Sequence, residues 1–427
     1  MAQTARFTIT EHKVAACHVR EYAGSTAHQQ EDVLYMSVKS YKPKRAISPK
    51  ERTAVTIVAA HGVGFPKELY EPLWDDLYDC AVSRGVAIRG IWIADAVNQG
   101  SSGILNETKL SNDYSWMDHA RDLLLMINEF RDEMPRPLIG VGHSFGGCQI
   151  ANLALMHPRL FTSLILLDPV IQLSPPAMGF DGIPGGVNFT THRKDLWPNR
   201  AAAAAAFQKS VSKGWDSRVV DRMIRYGYRD LPTALHPDLP ADADPSDPPV
   251  TLTTTKHQDA VSQLRANFES RQPDGRIHIN RSSHADMDPL AAFVPLYRPE
   301  PRSTFHRLPE LRPSTLWPLG EKTYLSLDEM REGVKITGTG IGGSGGIPQG
   351  NVKEDMLRGQ GHLFPFTAVG EAARICAEWI SDRMVIFEEQ EKAWNAERAA
   401  MTARDHLMVN QTWLDVVKPM SAFKNRL

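Results

Sequence analysis

Gly142-His143-Ser144-Phe145-Gly146 reads G-x-S-x-G, and its flanks decide what that means. Pro137–Gly142 is a short apolar run with strand character, and Gly146–Met156 has the apolar spacing of a helix. A serine at such a junction sits on a turn so tight that only small residues fit beside it. Its hydroxyl then stands exposed above a sheet. The plainer reading is a strand–helix turn in which Ser144 merely caps the helix. The neighbouring text favours the first. Thr53–Ala60 is a β-branched apolar run, Glu68–Arg84 has helical spacing, and Val86–Ile93 reads as a strand. Met117–Phe130 reads as a helix and Leu164–Leu167 as a strand. Strand and helix in alternation mean right-handed crossovers and a mostly parallel sheet with helices on both faces, an α/β fold. Phe7–Thr10 and Val33–Ser40 add two strands at one edge.

From Val170 to Arg302 that rhythm breaks. Prolines crowd in, as in Pro240-Ala-Asp-Ala-Asp-Pro-Ser-Asp-Pro-Pro249, with helical pieces at Asn199–Lys213 and His257–Asn267. Ser314–Leu319 returns to strand text. A glycine-rich stretch, Gly338–Gly350, reads as a mobile loop before a strand at Val352–Leu357 and a helix at Val369–Met384. The chain therefore divides into a core over 1–170, an inserted cap over 171–300, a second core part over 301–384 and a helical tail over 385–427. A length of 427 residues suits this plan at roughly 150 residues per domain. The charge of −2, from 48 basic and 50 acidic residues, gives no global basicity with which to bind nucleic acid. No run approaches the ~18 apolar residues of a membrane span, and the start lacks the apolar stretch of a secretory signal. The four cysteines, Cys17, Cys80, Cys148 and Cys376, have neither metal nor disulfide-framework spacing.

A serine hydroxyl needs a base, and the base needs orienting. In the chain order Ser, acid, His, the base is expected just before the last helix. Of 15 histidines, His362 fits, in Gly359-Gln-Gly-His-Leu-Phe-Pro365. Two carboxylates compete for the third role: Asp168, at the tip of an apolar strand, and Glu321, after the later strand. A charged residue at the end of an apolar strand has no core reason to be there, which favours Asp168. An oxyanion needs preorganised N–H donors. Phe145, after the nucleophile, offers one; Val63, in His61-Gly-Val-Gly-Phe-Pro66, offers the other. His143 faces away from the serine and reads as a packing or hydrogen-bonding residue. Gly338–Gly343 formally matches G-x-G-x-x-G but cannot open a helix, so no dinucleotide is expected. His284, Asp286 and Asp288 read as a solvated loop and Cys148 as a core thiol.

These residues and longer segments carry a resemblance. Phe7-Thr-Ile-Thr-Glu-His12, Lys67-Glu-Leu-Tyr-Glu-Pro-Leu-Trp74, Ser115–Leu125, Ile171–Pro176, His284-Ala-Asp-Met-Asp-Pro289 and Pro299–Phe305 extend it nearly end to end. The chain resembles the fungal peroxisomal α/β-hydrolases of secondary metabolism, and is similar to hydrolases of fungal host-selective toxin clusters. That resemblance implies a triad of Ser144, Asp168 and His362, choosing Asp168 over Glu321. It also implies a cap over the site, a homodimer, and cleavage of a bulky acyl-CoA thioester with no metal or cofactor. The departures lie at the C-terminus, in the alanines of 201–206 and in a shortened 237–249 stretch. The triad by itself suits a carboxylesterase or lactonase equally, and a non-catalytic binding protein is the remaining class. The final Asn425-Arg426-Leu427 resembles a Ser-Lys-Leu peroxisomal address read by an import receptor, with Asn425 in place of the small residue.

Overall fold

The computed structural model describes residues 4–47, 52–174, 185–210, 212–241, 243–270, 272 and 275–418. The terminal tripeptide and part of the 171–300 stretch lie outside these residues. The first half supplies strands β1 (Phe7–Ala15), β2 (Tyr35–Pro43), β3 (Arg52–Ala60), β4 (Val86–Ala94), β5 (Leu138–His143) and β6 (Ser163–Leu167). Between them run helices α1 (Glu71–Ser83), α2 (Gly100–Leu105), α3 (Trp116–Glu129) and α4 (Phe145–Met156). The middle segment holds α5 (Gly185–His192), β7 (Leu196–Trp197), α6 (Arg200–Ser210), α7 (Ser217–Tyr226), β8 (Tyr228–Asp230), β9 (Val250–Leu252), α8 (Lys256–Gln263), β10 (Arg265–Ala266) and β11 (Leu296–Tyr297). The chain then returns through α9 (Glu300–Arg307), β12 (Ser314–Gly320), α10 (Leu327–Ile336), β13 (Val352–Leu357), α11 (Phe364–Thr367), α12 (Val369–Ala399) and α13 (Gln411–Val416).

Eight strands make one sheet in the order β1-β2-β4-β3-β5-β6-β12-β13. The edge strands β1 and β2 are antiparallel, and every pairing from β4 to β13 is parallel. The alternation along β3 shows why the end of its sequence, Ile57–Ala60, is uniformly apolar. Ile57 and Ala59 enter one core with α1 and α12, while Val58 and Ala60 enter the other with α3 and α4. A strand covered on both faces has no solvent side on which to place polar residues. The helix behind the serine, α4, buries all of its residues except Met156, so it is wedged in place rather than draped over the sheet.

The middle segment leaves the sheet after β6 and rejoins it at β12. It has its own three-stranded sheet, β7-β9-β8. It is tied down where the parallel strands end: Gly100 N–H donates to Thr254 Oγ1 (2.8 Å), Trp116 Nε1–H to the Ser262 carbonyl (2.6 Å), and Asp216 N–H to the Phe366 carbonyl (2.8 Å). The helix α7 adds ion pairs from Arg218 to Asp76 and from Arg222 to Glu71. One sequence expectation changes here. Gly338–Gly350 is braced, with Gly340 N–H on the Pro309 carbonyl and Gly345 N–H on that of Gly338, both at 2.8 Å. A Cβ on Gly343 would lie 2.4 Å from both carbonyl oxygens, so the glycines serve backbone packing rather than mobility. The 284–288 loop is likewise held: Asp286 accepts from Tyr297 and pairs with Arg265, and Asp288 pairs with Arg302.

Candidate active site

The turn between β5 and α4 forces the serine into an uncommon conformation. Ser144 has φ 56° and ψ −120°, a left-handed value that costs a non-glycine residue free energy and survives only where its surroundings over-determine it. Those surroundings are close backbone contacts. A Cβ on Gly142 would meet the Gly146 carbonyl oxygen at 2.4 Å, and one on Gly146 would meet that of Ala60 at 2.2 Å. The small residues of G-x-S-x-G are thus required by neighbouring main chain.

The structure brings Ser144, His362 and Asp168 into one line. His362 Nε2 lies 2.8 Å from Ser144 Oγ, and His362 Nδ1 lies 2.6 Å from Asp168 Oδ2. Asp168 is itself held at φ 43°, just past β6. Its carboxylate also accepts from Gly320 N–H (2.9 Å) and from the Thr323 hydroxyl (2.5 Å). All three side chains are buried, with His362 the most accessible at 7%. Glu321 stays outside this line. Its Oε2 accepts the Gly359 N–H at 2.6 Å and so holds the turn that follows β13. The end of β12 and the loop after it thus hold the Asp168 carboxylate through Gly320 and Thr323, a support that sequence spacing did not reveal. The Tyr324 ring packs against His362 at 4.6 Å between centroids and is exposed on its other side.

In the loop after β3, the amides on either side of Val63 are taken. Gly62 N–H donates to Tyr70 Oη (2.7 Å), Gly64 N–H to Gln99 Oε1 (2.7 Å) and Phe65 N–H to the Gly62 carbonyl (3.2 Å). Among the described residues, neither the Val63 amide nor the Phe145 amide has an acceptor. His61 braces this loop: its Nδ1 donates to the Gly62 carbonyl, and its Nε2 accepts from Ala96 N–H. Burial keeps this imidazole below the usual histidine range, in keeping with that neutral tautomer. From the middle segment, Asp259 closes over the loop so tightly that a Cβ on Gly64 would lie 2.7 Å from its Oδ2. Burial raises this carboxyl's pKa, while Arg193, 2.9 Å away, works in the opposite direction.

Cys148 lies in the core, where burial pushes its thiol up to about 12. No group of three or more His, Cys, Asp or Glu side chains among the described residues is placed to hold a metal ion, and none of their helices is long and apolar enough to cross a membrane. A separate cleft of about 690 Å³ in the middle segment is lined by Trp197, Leu231, Leu235, Pro240 and Pro249 among others, and by none of the residues of the Ser144 site.

Residues 57–296 match the alpha/beta hydrolase family. The chain is 54% identical to the type I acyl-CoA thioesterase mpaH' of Penicillium brevicompactum, over 99% of this chain and 98% of that one. It is 30% identical to the abhydrolase domain-containing protein AKT2 of Alternaria alternata, over 61% of this chain and 87% of that one. Among solved structures, the peroxisomal alpha-beta-hydrolase Lpx1 of Saccharomyces cerevisiae superposes with a TM-score of 0.64 at 17% identity, covering 93% of this chain and 99% of that one.

Proposed function

The chain belongs to the α/β-hydrolase family, and on that premise we propose that it is a serine hydrolase cleaving the thioester of a bulky acyl-CoA to the free acid and CoA. The observation that carries this reading is the unbroken line Ser144 Oγ–His362 Nε2–His362 Nδ1–Asp168 Oδ2 at a strained strand–helix turn. The near end-to-end identity to a protein named acyl-CoA thioesterase supports the thioester over an oxyester. So does the likeness to the acyl-CoA hydrolase of mycophenolic acid biosynthesis.

In the first step Ser144 Oγ attacks the thioester carbonyl carbon while its proton passes to His362 Nε2. The carbonyl oxygen becomes an oxyanion, received by the free amides of Val63 and Phe145. The C–S bond then breaks, and CoA leaves as a thiolate that takes the proton from His362. A thiol pKa near that of cysteine, about 8.5, makes this an easy departure. In the second step water attacks the acyl-serine carbonyl and gives a proton to His362, which returns it to Ser144 as the acid leaves. Asp168 fixes the imidazole and stabilises its charged form without taking the proton.

The 171–300 segment acts as the cap and sets acyl preference. The exposed apolar residues Trp394, Leu407, Trp413 and Leu414 of the tail support a homodimer, which light scattering on the full chain tests. A peroxisomal location rests on Asn425–Leu427, and an N-terminal fluorescent fusion with and without these residues tests it. For the chemistry, an aryl-alkanoyl-CoA and its simple ester are compared as substrates, alongside fluorophosphonate labelling. The wild type is expected to favour the CoA ester and to label at Ser144; a folded Ser144→Ala should do neither. Turnover surviving in Ser144→Ala, or a preference for the simple ester, would overturn this reading.

A further inference from the structure

Behind the site, away from the serine hydroxyl, a chain of hydrogen bonds joins three loops. Gly62 N–H donates to Tyr70 Oη at 2.7 Å, Tyr70 Oη lies 2.7 Å from His143 Nδ1, and His143 Nε2 lies 3.0 Å from the His362 carbonyl oxygen. Tyr70 and His143 are buried. The proton positions follow from elementary chemistry. A carbonyl oxygen only accepts, so Nε2 of His143 carries hydrogen. Burial, and then the neighbouring His362, lower the pKa of His143 to about 3, so the ring is neutral and its Nδ1 is a bare acceptor. The Tyr70 hydroxyl must then donate to Nδ1, which leaves its oxygen to accept from Gly62. With the ring neutral, this is the arrangement that satisfies all three links.

Packing closes the chain in. The Phe366 ring lies 5.2 Å from that of Tyr70 and 5.6 Å from that of His143. A Cβ on Gly62 would sit 3.0 Å from His143 Nδ1 and 3.3 Å from Tyr70 Oη, so glycine is what lets the loop approach. One end of the chain is bonded to the residue before Val63, whose amide is free. The other end is bonded to the backbone of the base. His143 is the residue before Ser144. We propose that Tyr70 and His143 are positioning residues that lock the oxyanion loop and the histidine loop to the nucleophile turn through this proton-ordered chain. This rests on the assignment of Ser144, His362 and Val63 above. The reason such locking matters is that a misplacement of about 1 Å in a reacting geometry costs on the order of 100-fold in rate.

Three variants take the chain apart: the first removes both links of the Tyr70 hydroxyl, and the other two each break one link of His143. Tyr70→Phe keeps the ring and removes the oxygen. His143→Asn places Oδ1 where Nδ1 stands, keeping the acceptor for Tyr70 while losing the donor to His362. His143→Gln places Nε2 where the ring Nε2 stands, keeping that donor while displacing the acceptor. The quantities measured are kcat and KM on an aryl-alkanoyl-CoA, the labelling rate of Ser144 by a fluorophosphonate, and thermal melting. Tyr70→Phe is expected to lower kcat and labelling by roughly tenfold to 100-fold, with KM within about twofold. It should have that full effect in the His143→Asn background and a several-fold smaller effect in the His143→Gln background, where its acceptor is already gone and only its link to Gly62 remains to be lost. A merely structural role would lower melting without this dependence on background. The proposal is overturned if folded Tyr70→Phe keeps wild-type kcat, if the loss lies in KM alone, or if its effect is the same in both backgrounds. Activity persisting in Ser144→Ala would instead remove the assignment on which it rests.

Discussion

Asp168 and Glu321 show how much of a catalytic assignment rests on single hydrogen bonds. Both leave strand ends on the same edge of the sheet, yet only Asp168 reaches His362, at 2.6 Å. Its other oxygen is held by Gly320 N–H, so the carboxylate is fixed before substrate arrives. Asp168→Ala removes the acceptor of His362 Nδ1 and frees the imidazole to take the wrong tautomer. A loss on the order of 10⁴ in kcat is expected, the scale seen when the acid of a triad is neutralised. Glu321→Ala only frees the turn at Gly359 and should change kcat by less than about tenfold. Steady-state rates on one acyl-CoA check both, and the reverse ranking would remove Asp168 from the triad. Ser144 and His362 were legible as members of one site because each sits in a short motif with an obligatory neighbour: glycines around Ser144, and a glycine before His362 with helices after it. Thr323 was not legible. A threonine three residues beyond a strand carries no signal until the fold folds that loop back onto Asp168.

At the level of elements, the strands and long helices were readable because burial on both faces makes them predominantly apolar, as in β3 and α4. The helix α10 escaped that test. Only Met330 and Val334 of its apolar residues are fully buried, although Ser326 followed by Glu329 is a capping signal, and the Ser326 side chain does accept from the Glu329 N–H. The contacts that pin α7 were also invisible, because Glu71 and Arg222 lie 151 positions apart. Glu71 is buried and faces Lys39 at 3.6 Å, with Tyr41 Oη–H donating to it at 3.1 Å. Burial raises the pKa of this carboxyl, while Lys39 and Arg222 work in the opposite direction. Arg222→Met therefore leaves a buried charge short of one partner and should lower unfolding stability by about 3 kcal/mol. Adding Glu71→Met removes the stranded charge and should restore part of that loss, since apolar replacement of both partners is often close to neutral. Denaturant titration measures both. A single variant as stable as the wild type would mean that α7 is held by its other contacts.

Across the whole molecule, the interior carries imidazoles outside the Ser144–His362–Asp168 line, and they tie stability to pH. His119, on α3, is fully buried beside His61, with ring centroids 6.0 Å apart. Neither of its ring nitrogens has a hydrogen-bond partner among the described residues. Burial, and then the neighbouring His61, lower its pKa to about 3. In the unfolded chain the same ring titrates near 6.5. Between those values the unfolded state binds the proton and the folded state does not, so stability falls as pH falls through this window. Buried carboxyls oppose that trend. Burial raises Asp118 to about 6, and Asp259 and Glu71 are also raised, so each favours the folded state on acidification. The wild-type curve alone therefore mixes both signs, and the informative quantity is the difference between two proteins. His119→Leu removes one imidazole and leaves the carboxyls in place. At pH 7.5 the variant should match or exceed the wild type, because two unpaired buried nitrogens give way to apolar atoms of similar bulk. Below pH 6.5 its advantage should grow by about 1.4 kcal/mol per pH unit, the value of one proton, until unfolding overtakes both. Denaturant midpoints at pH 7.5, 6 and 5 measure the slope. An advantage that stays constant over that range would mean that His119 is protonated inside the folded protein, with a partner for its charge.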